Sequence, residues 1–277
     1  MKPRVMSLVI FTCVVGLLIA PNQINFLYSS LSLICVALGA GAAGTLNMWY
    51  ESDIDALMKR TCLRPIPTGK ITRKEALIFG LLTSLISITA LYFFSNFLSA
   101  LMLFITITFY VVIYTMWLKQ RTPQNIVIGG AAGAFPPIIG WTIASGNITL
   151  EPIILFLIIF FWTPSHFWAL SLYKTEDYTN AKIPMLPVVA GIKTTKINIF
   201  IYSIILFFVS ISPYFLNYSG FTYFVTSLFL GLYYVFLCYK LLVEVSDDKK
   251  IAKKIFIYSI LYLFLIFTFI LIDNIIS

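Results

Sequence analysis

Asn47, Glu51 and Asp55 stand four residues apart at the end of a long apolar run. On an α-helix each step of four drifts only about 40°, so the three side chains share one face. Asp53 falls off that face. Three converging oxygen-bearing side chains suit a hard cation such as Mg²⁺, which is held by one or two carboxylates together with waters and substrate phosphates. The chain then reads Leu57-Met58-Lys59-Arg60-Thr61-Cys62-Leu63-Arg64-Pro65. Cations beside a carboxylate cluster are what a diphosphate–metal site requires. The metal neutralises the anion from one side and guanidinium forks hold it from the other. The plain alternative is an interfacial acidic patch followed by topology-setting cations. It accounts for Lys70, Arg73 and Lys74, but poorly for acids on one face of a membrane helix end, where ionisable groups are costly.

A second constellation runs from Trp162 through Pro164, His166 and Trp168 to Tyr173, Lys174 and Asp177. If one helix continues through it, Tyr173 and Asp177 each lie within about 20° of His166. His166 is the only histidine. An interhelical hydrogen bond is one reading of it. A contact to the iron or a propionate of a tetrapyrrole, or proton transfer, are the others. Pro164 is expected to bend its helix, and Pro184 and Pro187 to end or shape the loop. A third basic spot holds Lys119 and Arg121, which are either topology charges or diphosphate contacts. It precedes Gly129, Gly130 and Gly133, small residues that let a helix pack closely on its neighbours.

The elements that position these groups follow from composition. Of 277 residues 60% are hydrophobic and 11% charged, against about 25% charged in an ordinary soluble domain. That excludes a water-soluble enzyme, a disordered chain and a disulfide scaffold. Long apolar runs exclude an outer-membrane barrel. The expected fold is all-α and polytopic, a single membrane domain over 1–277. Nine spans are predicted: Val5–Ala20, Phe26–Trp49, Glu75–Phe94, Leu98–Leu118, Ile126–Ala144, Pro152–Tyr173, Ile197–Leu216, Phe221–Leu242 and Ile255–Ile272. The first run resembles a signal peptide without a convincing cleavage site, and is read as a retained helix. The four cysteines show no CxxC spacing and are expected to be small buried residues.

With nine spans, all 19 Lys and Arg fall on one side, and Glu151 and Asp273 are the acids on the other. The positive-inside rule makes that basic side cytoplasmic. The N-terminus is then cytoplasmic and the C-terminus opposite. The net charge of +8 reports topology and an anionic lipid substrate, so no nucleic-acid partner is expected. Two inner turns, Glu51–Lys74 and Lys174–Lys196, are long and hold the charged constellations, as functional loops do. A transporter would carry its acids near the midplane, whereas Glu51, Asp55 and Asp177 lie at one interface. A structural assembly factor would not need their spacing.

The pattern Asn47-x-x-x-Glu51-x-x-x-Asp55 followed by Lys59-Arg60-Thr61-x-x-Arg64-Pro65 resembles the first motif of the UbiA superfamily of intramembrane prenyltransferases. Three further stretches, Thr122 to Ala134, Pro164 to Leu170, and Asp177-Tyr178 with Ile183 to Pro187, resemble its heme-prenylating branch. Tyr173 stands where quinone-type members carry an acid, which weakens a second metal site and the alternative of a quinone-precursor or chlorophyll-type acceptor. The N-terminus looks shorter than is usual for the family.

The resemblance implies farnesyl diphosphate and heme B as substrates and Mg²⁺ as cofactor. It implies a metal held by Glu51, Asp55 and Asn47, with Asp177 as a further catalytic carboxylate. Arg60, Arg64, Lys119, Arg121 and Lys174 would contact the diphosphate. His166, Tyr173 and Trp162 would line the heme or prenyl site. Trp49, Tyr50 and Trp168 join Trp162 as aromatic faces able to shelter an allylic cation. Implied partners are the lipid bilayer and, downstream, heme A synthase or the oxidase assembly machinery. The absence of a transit peptide points to a bacterial inner membrane.

Overall fold

The computed structural model describes residues 3–22, 25–59, 61–180, 183–244 and 248–276, the side chains of 3–5 and 248 excepted. The described residues form helices joined by turns and loops. In chain order these are α1 (Pro3–Leu18), α2 (Phe26–Tyr50), α3 (Ser52–Leu57), α4 (Arg73–Phe94) and α5 (Phe97–Thr108), then a π-helical segment, Phe109–Leu118. There follow α6 (Asn125–Ala134), α7 (Pro136–Ser145), α8 (Leu150–Tyr173), α9 (Thr175–Asn180), α10 (Leu186–Val189), α11 (Gly191–Phe215), α12 (Phe221–Val243) and α13 (Asp248–Ile276).

Eight helical stretches among the described residues are long and apolar enough to cross a membrane. The chain is a multi-pass membrane protein. Of the nine expected spans, the first is the short one. The 16 residues of α1 rise about 24 Å against a hydrocarbon core of about 30 Å. The fifth span is built from two helices, α6 and α7, meeting at Phe135 before Pro136, because proline can open a helix but not continue one.

Local signals set the ends. Thr72 and Glu75 form a reciprocal capping box at the start of α4, satisfying two otherwise orphaned donors. Asn96 caps α5 through Ser99 N, and its Nδ2 donates to Thr142 O at 2.8 Å, tying α5 to α7. Gly146, at φ +69°, ends α7 in the left-handed region.

Lipid tails are as apolar as leucine, so helix association relies on close packing and interhelical polar contacts. A Cβ on Gly140 would run into Cys13 O, and one on Gly16 into Pro137 O. The backbones of α1 and α7 therefore meet directly. One apolar core joins α2, α4, α5 and α7 around Val36, Leu46, Leu91, Leu103 and Ile139. The larger core joins α8, α11, α12 and α13 around Ile158, Trp168, Leu206, Tyr234 and Phe267. Cys13, Cys35 and Cys238 are buried, and Cys62 is half-buried.

The two ends of the bundle differ. At one end Asp273 of α13 accepts from Gly220 N and Tyr223 N, a carboxylate placed on the positive end of α12. The other end gathers the charged loops. There Lys196 Nζ donates to Glu244 O at 2.6 Å, Lys249 pairs with Glu176 at 3.5 Å, and the groups of the first constellation meet.

Candidate active site

Helix α2 does not run unbroken through its acids. Glu51 caps it with φ −91° and ψ 10°, and α3 starts at Ser52. The hydrogen-bond ladder nevertheless crosses the break, with Glu51 N to Asn47 O at 3.0 Å and Asp55 N to Glu51 O at 2.8 Å. The four-residue phase is thus retained. Asn47, Glu51 and Asp55 are 1%, 2% and 2% exposed, while Asp53 faces outward and pairs with Arg73.

Each buried carboxylate has a cation at contact distance. Lys119 Nζ lies 2.6 Å from Glu51 Oε2 and 2.5 Å from Oε1. Arg64 Nη1 lies 2.6 Å from Asp55 Oδ2. Desolvating a carboxylate is expensive, and only a close partner makes it tolerable. The loop after α3 is braced by Thr61, whose hydroxyl donates to Asp55 O at 2.9 Å.

The π-helical segment supplies the opposite wall. Asn47 Nδ2 donates to Thr115 Oγ1 at 3.0 Å. Thr115 in turn donates to Tyr110 O at 2.8 Å, the carbonyl five residues back. Lys119 N likewise bonds Tyr114 O. Segments with i→i+5 bonding recur at functional sites because they re-aim side chains within a helix. Here the segment directs Thr115 at Asn47 and Lys119 at Glu51.

Two aromatic residues of this wall escaped the sequence reading. Tyr110 gives its carbonyl to the Thr115 hydroxyl. The Tyr114 ring lies 5.5 Å from that of Tyr110 and 5.9 Å from Lys119 Nζ. A Cβ on Gly129 would strike the Tyr114 ring, so the glycine of α6 makes room for it. Asn125 was also missed. Fully buried, it donates to Thr122 O at 2.6 Å and Lys119 O at 3.4 Å, fixing the turn that carries Lys119. The signal was present in Tyr110-x-x-x-Tyr114 preceding Lys119, but an ordinary helical period hides the π register.

The second constellation requires a correction. The helix does not continue from His166 to Asp177. It ends at Tyr173, Lys174 takes φ −119° and ψ 30°, and a separate helix α9 carries Asp177. The shared face of His166, Tyr173 and Asp177 is therefore lost. Asp177 is half-buried. His166 Nδ1 meets Ser259 Oγ of α13 at 2.6 Å, and its ring stacks between Trp162 at 4.2 Å and Phe256 at 4.7 Å. Trp162 Nε1 donates to Ser259 O at 2.7 Å, so both rings grip one turn of α13. The Tyr173 ring receives Lys174 at 4.9 Å and Lys253 at 5.7 Å.

The other expected residues are dispersed. Trp168 is buried in the larger core against Tyr202. Trp49 and Tyr50 sit at the end of α2, with Tyr50 exposed. Arg121 and Lys174 are exposed on their turns. Arg60 lies outside the described residues.

The two inner loops are joined by an apolar cluster. Met58, Ile126, Tyr178, Ile183 and Met185 are buried together, with Ile54 and Phe167 packed on them. The loop that carries the acids is thereby closed against the loop that follows α8. The donor chemistry next to this seam, two buried carboxylates and an amide within two turns, fits a hard divalent cation. Lys119 and Arg64, already there, fit an anionic group bound beside it.

Comparison with known proteins agrees with this architecture. The family model described as "UbiA prenyltransferase family" matches residues 9–260. A protein of Pelagibacter ubique (strain HTCC1062), named protoheme IX farnesyltransferase, is 60% identical over 99% of this chain and 91% of its own length. One of Mesorhizobium japonicum, named protoheme IX farnesyltransferase 2, is 53% identical over 100% of this chain and 89% of its own length. The fold is similar to a solved structure of digeranylgeranylglyceryl phosphate synthase, with TM-score 0.83 and 20% identity over 99% of this chain and 95% of that one. It is also similar to a UbiA homolog from Archaeoglobus fulgidus bound to GPP and Mg²⁺, with TM-score 0.67 and 17% identity over 96% of this chain and 97% of that one.

Proposed function

The chain belongs to the UbiA prenyltransferase family, and from that premise we propose that it transfers the farnesyl group of farnesyl diphosphate to a vinyl group of heme B, making heme O. The observation that carries the reading is 60% identity, over nearly the whole length, to a relative named for that activity. The paired charges of Glu51, Asp55, Lys119 and Arg64 give it a chemical basis.

In this reading Glu51 and Asp55, with Asn47, hold Mg²⁺. When bound, the cation would neutralise the diphosphate and stabilise it as a leaving group. Arg64 and Lys119 bind the diphosphate oxygens from the protein side, and Arg60, Arg121 and Lys174 are further cations proposed to contact them. Fixed positive charge in a buried site favours departure of the diphosphate, because no solvent must reorganise around it. Tyr110 and Tyr114 present ring faces beside this charge, where an allylic cation would be sheltered. Trp162, His166 and Tyr173 would line the heme or prenyl site from α8, with the His166 ring held between Trp162 and Phe256. Asp177, on α9, would serve as a further catalytic carboxylate. The Met58–Tyr178–Met185 seam excludes water until the vinyl carbon has attacked.

The positive-inside rule supports a site on the cytoplasmic side, where the basic loops gather, with the N-terminus cytoplasmic and the C-terminus opposite. The bacterial relatives support an inner-membrane location, where heme A synthase or the oxidase assembly machinery would take up the product. The test is an acceptor panel: purified protein, farnesyl diphosphate and Mg²⁺ with heme B, a quinone precursor or a chlorophyll-type pigment. Prenylation of heme B alone supports the reading, and prenylation of another acceptor instead overturns it.

A further inference from the structure

We infer that Lys119 and Arg64 are built-in counter-ions that make metal binding and diphosphate binding mutually dependent. The inference rests on reading this site as a metal–diphosphate site, and adds the order in which its charges are exchanged.

Among the described residues, two buried carboxylates and two cations meet in the site, and all four are already paired. Lys119 contacts both oxygens of Glu51, and Arg64 contacts Asp55 at 2.6 Å. A divalent cation arriving alone must displace these cations and leave them unpaired beside its own positive charge. A diphosphate arriving alone meets cations that are engaged, and two buried carboxylates that repel it. When both arrive, the carboxylates turn to the metal and the cations to the diphosphate, so every charge keeps a partner. By linkage, each ligand then raises the affinity for the other by the same factor.

The side chains are built for such an exchange. The Lys119 and Arg64 side chains are 19% and 20% exposed, while those of Glu51 and Asp55 are 2% and 4% exposed. The cations sit at the rim on long flexible stems and can swing to a ligand. The backbone that carries the carboxylates is held in register by the ladder from Asn47 to Asp55, so they need only turn in place. A simple diphosphate clamp would hold its cations pointed at the ligand rather than spend them on the metal's own ligands. Neither metal alone nor diphosphate alone therefore binds well, and the substrate is captured as its metal complex.

The test uses the full-length protein in detergent, with Mn²⁺ as the metal probe read by electron paramagnetic resonance. A thiolo analogue of farnesyl diphosphate that does not ionise is the second probe, read by calorimetry with and without Mg²⁺. The expected result for the unmodified protein is weak binding of Mn²⁺ alone, and analogue binding that Mg²⁺ tightens by about 10-fold or more. Lys119→Gln and Arg64→Gln should each bind Mn²⁺ alone about 10-fold more tightly, while losing affinity for the analogue in Mg²⁺. Lys119→Arg, which keeps the charge, should behave like the unmodified protein. If Lys119→Gln does not fold, Arg64→Gln carries the same test at the more exposed pair. Metal affinity unchanged or weakened in these variants, with Mg²⁺-dependent analogue binding intact in the unmodified protein, overturns the inference. Analogue binding indifferent to Mg²⁺ in the unmodified protein overturns instead the underlying reading of the site.

Discussion

Glu51 and Lys119 are 68 residues apart in the chain, yet the lysine ammonium contacts both oxygens of the carboxylate at 2.5–2.6 Å. Asn47 and Thr115 share the same separation and are bonded at 3.0 Å. These two contacts set the register of α2 against the π-helical segment. They place a buried acid, an amide and a cation within one small volume at the basic end of the bundle.

Changing Asp55 to Asn keeps the shape and removes the charge. Arg64 loses its partner, and the site loses one of two carboxylates. Heme O formation should fall about 100-fold or more, the scale of losing one fixed electrostatic contact in a buried site. Detergent-solubilised protein should elute as before in gel filtration. Activity within a few-fold of the unmodified enzyme would remove Asp55 from the reaction.

Thr115→Val deletes a hydroxyl that accepts from Asn47 and donates to Tyr110 O. The buried Asn47 amide is left short of an acceptor, which costs about 1–3 kcal/mol. A lowered thermal midpoint should accompany a raised KM for farnesyl diphosphate. Thr115→Ser, which keeps the hydroxyl, should restore both.

Tyr178 closes the seam between the two inner loops. Tyr178→Ala removes a buried ring, a change costing roughly 3 kcal/mol in a packed core, and opens the site to water. The allylic cation should then be captured by water more often. The farnesol-to-heme O ratio, read by chromatography, should rise even where total turnover of farnesyl diphosphate is kept. An unchanged ratio would show that water is excluded by something other than this seam.

Asp273, at the far end, is expected to matter for stability alone. Its carboxylate accepts from Gly220 N and Tyr223 N at the start of α12. Asp273→Ala should lower stability by about 1 kcal/mol, the usual worth of an N-terminal cap, with kcat unchanged. Thermal unfolding and steady-state kinetics on one preparation separate the two.

The first constellation was legible because a helical hydrogen-bond ladder crosses Glu51 even where the helix formally ends. Spacing by four therefore kept its meaning. The second was not, because Lys174 leaves helical geometry, and Asp177 stands on a separate helix from His166. Nothing in Tyr173-Lys174-Thr175 announces that break. Thr115, Tyr110 and Tyr114 stayed hidden for a different reason: they are phased by a π register, and a 3.6-residue period assigns them to the wrong faces. Eight of the nine spans were plain from apolar length, the first helix being shorter than a span, and Pro136 and Pro137 split the fifth at Phe135. The seam around Tyr178 depends on contacts between distant loops, which no local pattern encodes.

The mass of the product decides between heme prenylation and its absence. Purified protein should be incubated with heme B, farnesyl diphosphate and Mg²⁺, and the porphyrins resolved by liquid chromatography and mass spectrometry. The account predicts a heme that has gained one farnesyl group and one hydroxyl, absent when Mg²⁺ is chelated. Folded protein that binds both substrates and returns heme B unaltered would contradict it.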